Sequence, residues 1–196
     1  PQDVIESIRD ELLSERIYNS NAIEGNTLTL RETRSILETG VVADVGRKRE
    51  ATEVTNLAGA IAEIQKMVDD PRSWTDLDRF TAVHGKVLAG IHPSAGVIRS
   101  ERALITGAKH QPPNPLKVDS LLEEMFRELK DADQVEPIFL ATWVHWAIAR
   151  IHPFPDGNGR MARLWQDLIL FGRRLTAAVI RQQDRNEYYA ALMSAD

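Results

Sequence analysis

The sequence contains no cysteine among its 196 residues. This absence excludes a disulfide scaffold, a catalytic thiol and thiolate metal sites, and it is typical of a reducing compartment. The sequence also lacks an apolar run approaching the roughly 18 residues of a membrane helix, and its N-terminus has no apolar signal-peptide block. We therefore expect a cytoplasmic protein that makes no use of a membrane.

An excess of basic charge is absent as well. The chain has 24 Lys and Arg residues against 29 Asp and Glu residues, a net charge of −5. This is the wrong sign for a protein held on DNA by phosphate contacts, so we expect no nucleic-acid partner. The histidines other than His152 do not form a recognisable ligand set and are expected to be structural or on the surface.

Apolar residues make up 43% of the sequence and charged residues 27%, which is enough for a buried core. Many of the apolar residues recur at helical spacing, in stripes within residues 4–13, 57–64 and 121–129. A helix from about Pro137 to Arg150 is apolar nearly all round and is expected at the centre. Another follows over residues 161–171. The sequence predicts an all-α fold, built as a helical bundle.

One segment does not fit a helix. Residues 96–115 combine short β-branched pieces with Gly107 and three prolines. A surface loop or small hairpin between helices is the plain interpretation. A long non-helical connection inside a helical bundle is often functional, so the segment is a candidate lid.

The densest chemical signal is the segment 151–163, IHPFPDGNGRMAR. Two prolines end the preceding helix and hold His152 in a rigid loop, where it is positioned to act as a general base. Gly157, Asn158 and Gly159 allow tight turns and let backbone N–H groups face a ligand. The next helix begins there, so its free N–H groups and its dipole predict an anion site.

Three charged residues complete this segment. Asp156 is a hard oxygen ligand beside the anion site, where Mg²⁺ bound to phosphate oxygens is expected. Arg160 and Arg163 lie three residues apart and can clamp phosphates. The alternative is a Gly-rich loop with a structural histidine, but such a loop does not need these residues in this order.

The string HPFPDGNGRMAR resembles the signature of Fic proteins, HxFx(D/E)GNGRxxR, with every defining position filled. The resemblance implies an α-helical core with a β-hairpin flap over the active site, and transfer of AMP from ATP to a hydroxyl side chain of a target protein. The implied roles are His152 as base, Asp156 as Mg²⁺ ligand, Gly157, Asn158 and Gly159 as anion hole, Arg160 as phosphate support and Arg163 as γ-phosphate contact. Both glycines favour nucleotidyl transfer over the other transfers known in this family.

A second motif, SNAIEGN at residues 20–26, is similar to the inhibitory motif (S/T)xxxE(G/N) of the family. The resemblance implies that Ser20 and Glu24 belong to an inhibitory helix and that Glu24 pairs with Arg163. Glu24 and the γ-phosphate of ATP would then compete for the same positive charge. The alternative is a helix end with a solvated glutamate.

The resemblance extends along most of the chain. Ile105, Thr106 and Gly107 look like part of the flap that docks an extended target segment by strand addition. Tyr189 and Leu192 are expected in the adenine pocket. The implied organisation is a unit of N-terminal helices at residues 1–45 and a core at residues 46–196, packed together.

The expected partners are ATP and an unidentified target protein, which can be this protein itself. A homodimer is one open alternative for the oligomeric state. Two other functions also stay open. The same site can hydrolyse an AMP–protein bond, with Glu24 orienting a water molecule. The fold can also serve as a nucleotide-binding interaction module without turnover.

Overall fold

The computed structural model describes residues 2–41, 45–105 and 110–195, and within them the regular structure is helical. Short 3-10 turns begin four of the helices or precede them. The α-helices are α1 (Gln2–Ile23), α2 (Leu30–Thr39), α3 (Lys48–Met67), α4 (Leu77–Val87), α5 (Val118–Lys130), α6 (Pro137–Ile151), α7 (Asn158–Gly172) and α8 (Arg185–Ser194).

Helices α6 and α7 form the centre of the bundle, as their apolar sequences predict. Pro137 stands in the first turn of α6, where its missing N–H costs nothing. Most residues of α7 are buried, on all its faces. Phe80 of α4 stacks on Phe154 in the loop between α6 and α7, and it meets Trp165 of α7 edge to face. The loop that carries the Fic-like signature is therefore fixed to the core by aromatic packing.

The N-terminal helices pack against this core. Ile17 and Ile23 of α1 are fully buried, and α1 contacts both α3 and α7. Gly25 then ends the helix with a positive φ of 100°. Thr29 and Glu32 cap the start of α2 with a reciprocal capping box. The inhibitory motif thus lies at the end of a helix that is seated on the core.

The predicted hairpin flap is not confirmed. Residues 101–105 and 110–114 have no regular structure, and the described part of the chain contains no strand. Thr106 and Gly107 lie outside the described residues. Within those same ranges, no helix combines the length and the apolar character that a membrane crossing requires.

Candidate active site

A cavity of about 330 Å³ opens where the end of α1, the facing ends of α6 and α7, and helix α8 meet. Its walls combine a carboxylate, histidines, arginines and aromatic rings from separate parts of the sequence. The lining residues are Glu24, Ile105, His110, Trp146, Ala149, Arg150, His152, Asn158, Gly159, Arg185, Tyr188, Tyr189, Leu192 and Met193. Many of the residues that the sequence singles out therefore meet in one cavity.

His152 lies at the end of α6 in a left-handed backbone conformation, with φ 51° and ψ 58°. This conformation costs a non-glycine residue about 1–2 kcal/mol. The Nδ1 atom is 3.3 Å from the carbonyl oxygen of Ala149, so Nδ1–H donates there and Nε2 keeps its lone pair. Burial lowers the pKa of His152, and the positive charge of Arg99 acts in the same direction. His152 is thus a neutral imidazole that can accept a proton at Nε2.

The turn after His152 leads into α7 through Gly157, which has a positive φ of 79°. No side chain caps this end of α7, so its first N–H groups have no intrahelical acceptor. The side chain of Asn158 is not directed to a ligand: Nδ2 donates to the Phe154 carbonyl at 2.7 Å, and Oδ1 accepts from the Phe154 N–H at 2.9 Å. Asn158 therefore shapes the loop with its side chain, and only its backbone contributes to the anion site.

Asp156 stands at the outer side of this turn. Its Oδ1 accepts from the N–H of Gly157 at 2.6 Å and lies 3.5 Å from Arg160 Nη2, while 42% of its side chain is exposed. In the described ranges no group of three His, Cys, Asp or Glu side chains could hold a metal ion. A single reachable carboxylate beside a phosphate site nevertheless fits Mg²⁺, which takes most of its ligands from water and substrate phosphates.

Arg160 lies behind the turn rather than on the cavity wall. It is 3% exposed, and its guanidinium lies 3.5 Å from Asp156 and 4.0 Å from Glu53. The expectation from sequence was that both arginines face the phosphates. The structure separates them: Arg160 supports the turn from the interior, and Arg163 borders the inhibitory motif.

Arg163 is held by Glu24, its predicted partner, and by Ser20. Its Nη2 donates to Glu24 Oε1 at 2.7 Å and to the Ser20 carbonyl at 2.9 Å, and its Nε donates to Ser20 Oγ at 2.8 Å. Burial disfavours the charge of Arg163, but Glu24 outweighs it and raises the pKa of Arg163. The closeness of Glu24 also explains Gly159, because a Cβ atom there would clash with the Glu24 carboxylate. Glu24, just beyond the end of α1, thus occupies the space in front of Arg163.

Tyr188 of α8 continues this network. Its hydroxyl lies 3.5 Å from Arg163 Nη1 and 2.8 Å from His145 Nε2. His145 Nδ1 lies 2.5 Å from Gln166 Oε1, so Nδ1 carries the hydrogen and Nε2 accepts from Tyr188. Burial lowers the pKa of His145 to about 4, which keeps it neutral. The sequence predicts only a core role for His145, and its contact with Tyr188 adds a link between the core and α8.

The residues expected around adenine reach the cavity from helix α8. Tyr189 and Leu192 both line it, and the guanidinium of Arg185 lies 5.0 Å from the centre of the Tyr189 ring. Ile105, from the expected flap, lines the cavity as well. A cavity that combines apolar and aromatic side chains with a helix N-terminus suits a ligand with a flat base and phosphates.

Two further residues of the site were missed from sequence. His84 is fully buried, and its Nε2–H donates to the Asp156 carbonyl at 2.9 Å while Nδ1 accepts from the N–H of Gly96. Its ring stacks on Phe154 with centres 3.5 Å apart. Arg99 donates from Nε to the His152 carbonyl at 2.7 Å. Neither residue lies in a motif, so only their tertiary contacts reveal them.

Comparison with known proteins agrees with this geometry. Residues 74–170 match the model of the Fic/DOC family. The chain is 35% identical to the protein adenylyltransferase Fic of Nematostella vectensis over 95% of this chain and 44% of that protein. It is 33% identical to the protein adenylyltransferase fic-1 of Caenorhabditis elegans over 92% of this chain and 36% of that protein. The chain thus spans less than half the length of these relatives.

Solved structures give the same result for the fold. A Fic domain-containing signaling protein from Bacteroides thetaiotaomicron superposes with a TM-score of 0.89 at 26% identity, covering 98% of this chain and 74% of that one. A structure of C. elegans Fic-1 superposes with a TM-score of 0.89 at 30% identity, covering 100% of this chain and 58% of that one. The helical arrangement described above is therefore shared with solved Fic proteins.

Proposed function

Since the chain belongs to the Fic/DOC family, we propose that it is a protein adenylyltransferase that transfers AMP from ATP to a hydroxyl side chain of a target protein. The observation that carries this proposal is the convergence of a neutral histidine and the uncapped N-terminus of α7 on one cavity. A base for the hydroxyl and a binding site for phosphates are the two elements that this reaction requires.

The transfer proceeds by displacement at the α-phosphorus. His152 Nε2 accepts the proton of the target hydroxyl, whose oxygen forms a bond to the α-phosphorus. The bond between the α-phosphorus and its bridging oxygen to the β-phosphate breaks, and pyrophosphate leaves. The first N–H groups of α7, at residues 158 and 159, stabilise the negative charge on the phosphate oxygens. Tyr189 and Leu192, which line the same cavity, hold the adenine ring.

Asp156 is the residue that would hold Mg²⁺ in this reaction. Bound there, the ion would neutralise charge on the phosphates and on the leaving pyrophosphate. Asp156 itself is kept in place by the Gly157 N–H and by Arg160, which together fix the orientation of its carboxylate.

We further propose that Glu24 restrains the enzyme. Arg163 is a cationic side chain beside Gly159, and its Nη2 donates to the Glu24 carboxylate at 2.7 Å. ATP must displace this carboxylate before its γ-phosphate can use Arg163. Ser20 holds the other edge of the guanidinium, so the inhibitory motif contacts the arginine twice.

Hydrolysis of an AMP–protein bond is a second candidate function, because Glu24 and His152 line the same cavity. In that reaction Glu24 orients a water molecule toward the phosphorus. The target of either reaction is expected to dock beside residues 105–107.

Intact mass after incubation with Mg²⁺ and ATP tests the transfer. The proteins compared are the wild type, Glu24→Gly, Glu24→Gly with His152→Ala, and, as a control, Glu11→Gly, which removes an exposed glutamate that does not line the cavity. We expect only Glu24→Gly to gain the mass of AMP, on itself or on proteins of a cell extract. If Glu24→Gly binds ATP and transfers nothing, adenylyl transfer is wrong; if the wild type then removes AMP from a modified protein, hydrolysis replaces it.

A further inference from the structure

Arg99 is a buried arginine whose charge is neutralised in an unusual way. Its residue exposure is 5%, and among the described residues no carboxylate lies within ion-pair distance of its guanidinium. Its acceptors are backbone carbonyls instead. A buried charge is costly without compensation, and the partial negative charge at the C-terminus of a helix supplies it here.

These carbonyls surround His152 on both sides. Arg99 Nε donates to the His152 carbonyl at 2.7 Å, and Nη2 lies 3.4 Å from the Ile151 carbonyl. The backbone N–H of Arg99 donates to the Pro153 carbonyl at 2.9 Å. Three consecutive peptide units therefore depend on one residue. A left-handed conformation such as that of His152 persists only where its surroundings fix it, and Arg99 supplies that constraint.

The same guanidinium also joins the main chain at two separate points, Glu101 and Pro113. Nη1 donates to the Glu101 carbonyl at 2.9 Å, and Nη2 donates to the Pro113 carbonyl at 2.7 Å. Between these two points lie Ile105 and His110, both of which line the cavity. Arg99 thus fixes the main chain at Glu101, at Pro113 and at His152 to a common point.

We propose that Arg99 is a positioning residue for the transfer reaction: it holds His152 in the conformation that directs its imidazole into the cavity, and it ties the main chain at Glu101 and Pro113 to the same loop. This proposal rests on the proposed function. Arg99 does not line the cavity, so it acts through His152 rather than on the substrate. Its positive charge also contributes to the low pKa of His152, whose other charged or titratable neighbours are Glu24 and His110.

The test uses Arg99→Gln and Arg99→Lys in the Glu24→Gly protein. Glutamine removes the charge and most of the donors, while lysine keeps the charge without the planar fork. Arg173→Gln is the matched control. Arg173 lies just beyond the C-terminal end of α7 and also donates to backbone carbonyls, those of Ala132 and Asp133.

We expect both Arg99 variants to lower kcat about 10- to 100-fold, as for a displaced catalytic group, with KM for ATP changed by less than about threefold. Arg173→Gln should lower the melting temperature and leave kcat per folded molecule unchanged. An Arg99→Gln protein that keeps kcat within about twofold of its parent overturns the proposal. So does a loss of kcat that Arg173→Gln reproduces.

A second measurement decides the matter without turnover. The pKa of His152, followed by NMR in the nucleotide-free proteins, should rise in Arg99→Gln and stay near the parent value in Arg99→Lys. An unchanged pKa in Arg99→Gln contradicts the proposed contact between the two residues. If Glu24→Gly transfers no AMP, the proposed function fails while this titration still tests Arg99. If Arg99→Gln does not fold, the kcat of Arg99→Lys and its His152 titration are the remaining measurements. A kcat of Arg99→Lys equal to that of its Glu24→Gly parent then overturns the proposal.

Discussion

At the scale of single residues, the protonation state of His152 determines when the proposed reaction can proceed. A base must be neutral to accept a proton, and burial lowers the pKa of His152 below the ordinary histidine value of about 6.5. The Glu24 carboxylate raises that pKa, so its removal moves the pKa further down. His152 is therefore neutral, and able to accept a proton, over a wider pH range than a solvated imidazole.

The pH dependence of kcat for Glu24→Gly at saturating ATP checks this. We expect the rate to be constant near neutral pH and to fall to half at a pH below about 6.5, where His152 becomes protonated. An acid limb at or above about 6.5 would mean that a solvated histidine, or another group, limits the reaction.

At the scale of helices, α1 and α7 meet along a line of matched positions. Arg16 and Ser20 of α1, and Glu24 just beyond its end, follow one another at four-residue steps. In the same order they face Asp167, Arg163 and Gly159, which are also spaced four residues apart on α7. Arg16 Nη2 and Asp167 Oδ2 are 2.5 Å apart, and both side chains are about one-tenth exposed. This ion pair stands two helical turns from Glu24 and fixes the register of the two helices.

Arg16→Leu is expected to be strongly destabilising, because it leaves the Asp167 carboxylate buried without its partner. We expect the free energy of unfolding in urea to fall by about 3–5 kcal/mol. The double variant Arg16→Leu with Asp167→Leu should recover most of that loss.

The control is Arg34→Gln, which breaks an ion pair to Glu11 whose side chains are 42% and 62% exposed. It should cost less than about 1 kcal/mol. A single Arg16→Leu variant as stable as this control would show that the buried pair does not hold α1 in register.

The helices were more predictable from sequence than the orientation of polar side chains. Helix α6 was expected from about Pro137 to Arg150 and spans Pro137–Ile151, because apolar periodicity and a first-turn proline are local signals. The inward position of Arg99 was not predictable. Most of its acceptors lie far along the chain, at residues 113, 151 and 152, so nothing in the polar segment around it indicates burial.

The candidate site shows the same division. The Fic-like signature and the inhibitory motif indicate which residues matter, and the structure brings Glu24 and Arg163 together. The side chains of Arg160 and Asn158 face the protein interior, toward Glu53 and the Phe154 backbone. Such directions depend on tertiary neighbours that a linear pattern does not contain.

At the scale of the whole molecule, two buried histidines link stability to pH. Burial lowers the pKa of His84 and of His145 to about 4. In the unfolded chain both titrate near 6.5, so between these values the unfolded state binds more protons than the folded state. Stability is therefore fully present above about pH 6.5 and is lost as the pH falls toward 4.

We expect each of these histidines to remove about 2 kcal/mol from the free energy of unfolding between pH 6.5 and pH 5. Urea unfolding at pH 7 and at pH 5 measures the sum. The same pair of measurements on His145→Gln should show a smaller difference than the wild type. A wild-type stability that does not decrease over this range would contradict the neutral, buried state of both rings.

The central claim is that this active site transfers AMP and is held back by the charge of Glu24 on Arg163. The most direct measurement is the rate of AMP incorporation, by intact mass, in the wild type and in Glu24→Gln. Glutamine keeps the size of the side chain and removes only its charge. We expect Glu24→Gln to incorporate AMP while the wild type stays unmodified. No incorporation in Glu24→Gln, although Glu24→Gly incorporates AMP, would show that the bulk of the side chain restrains the enzyme and would contradict the charge competition.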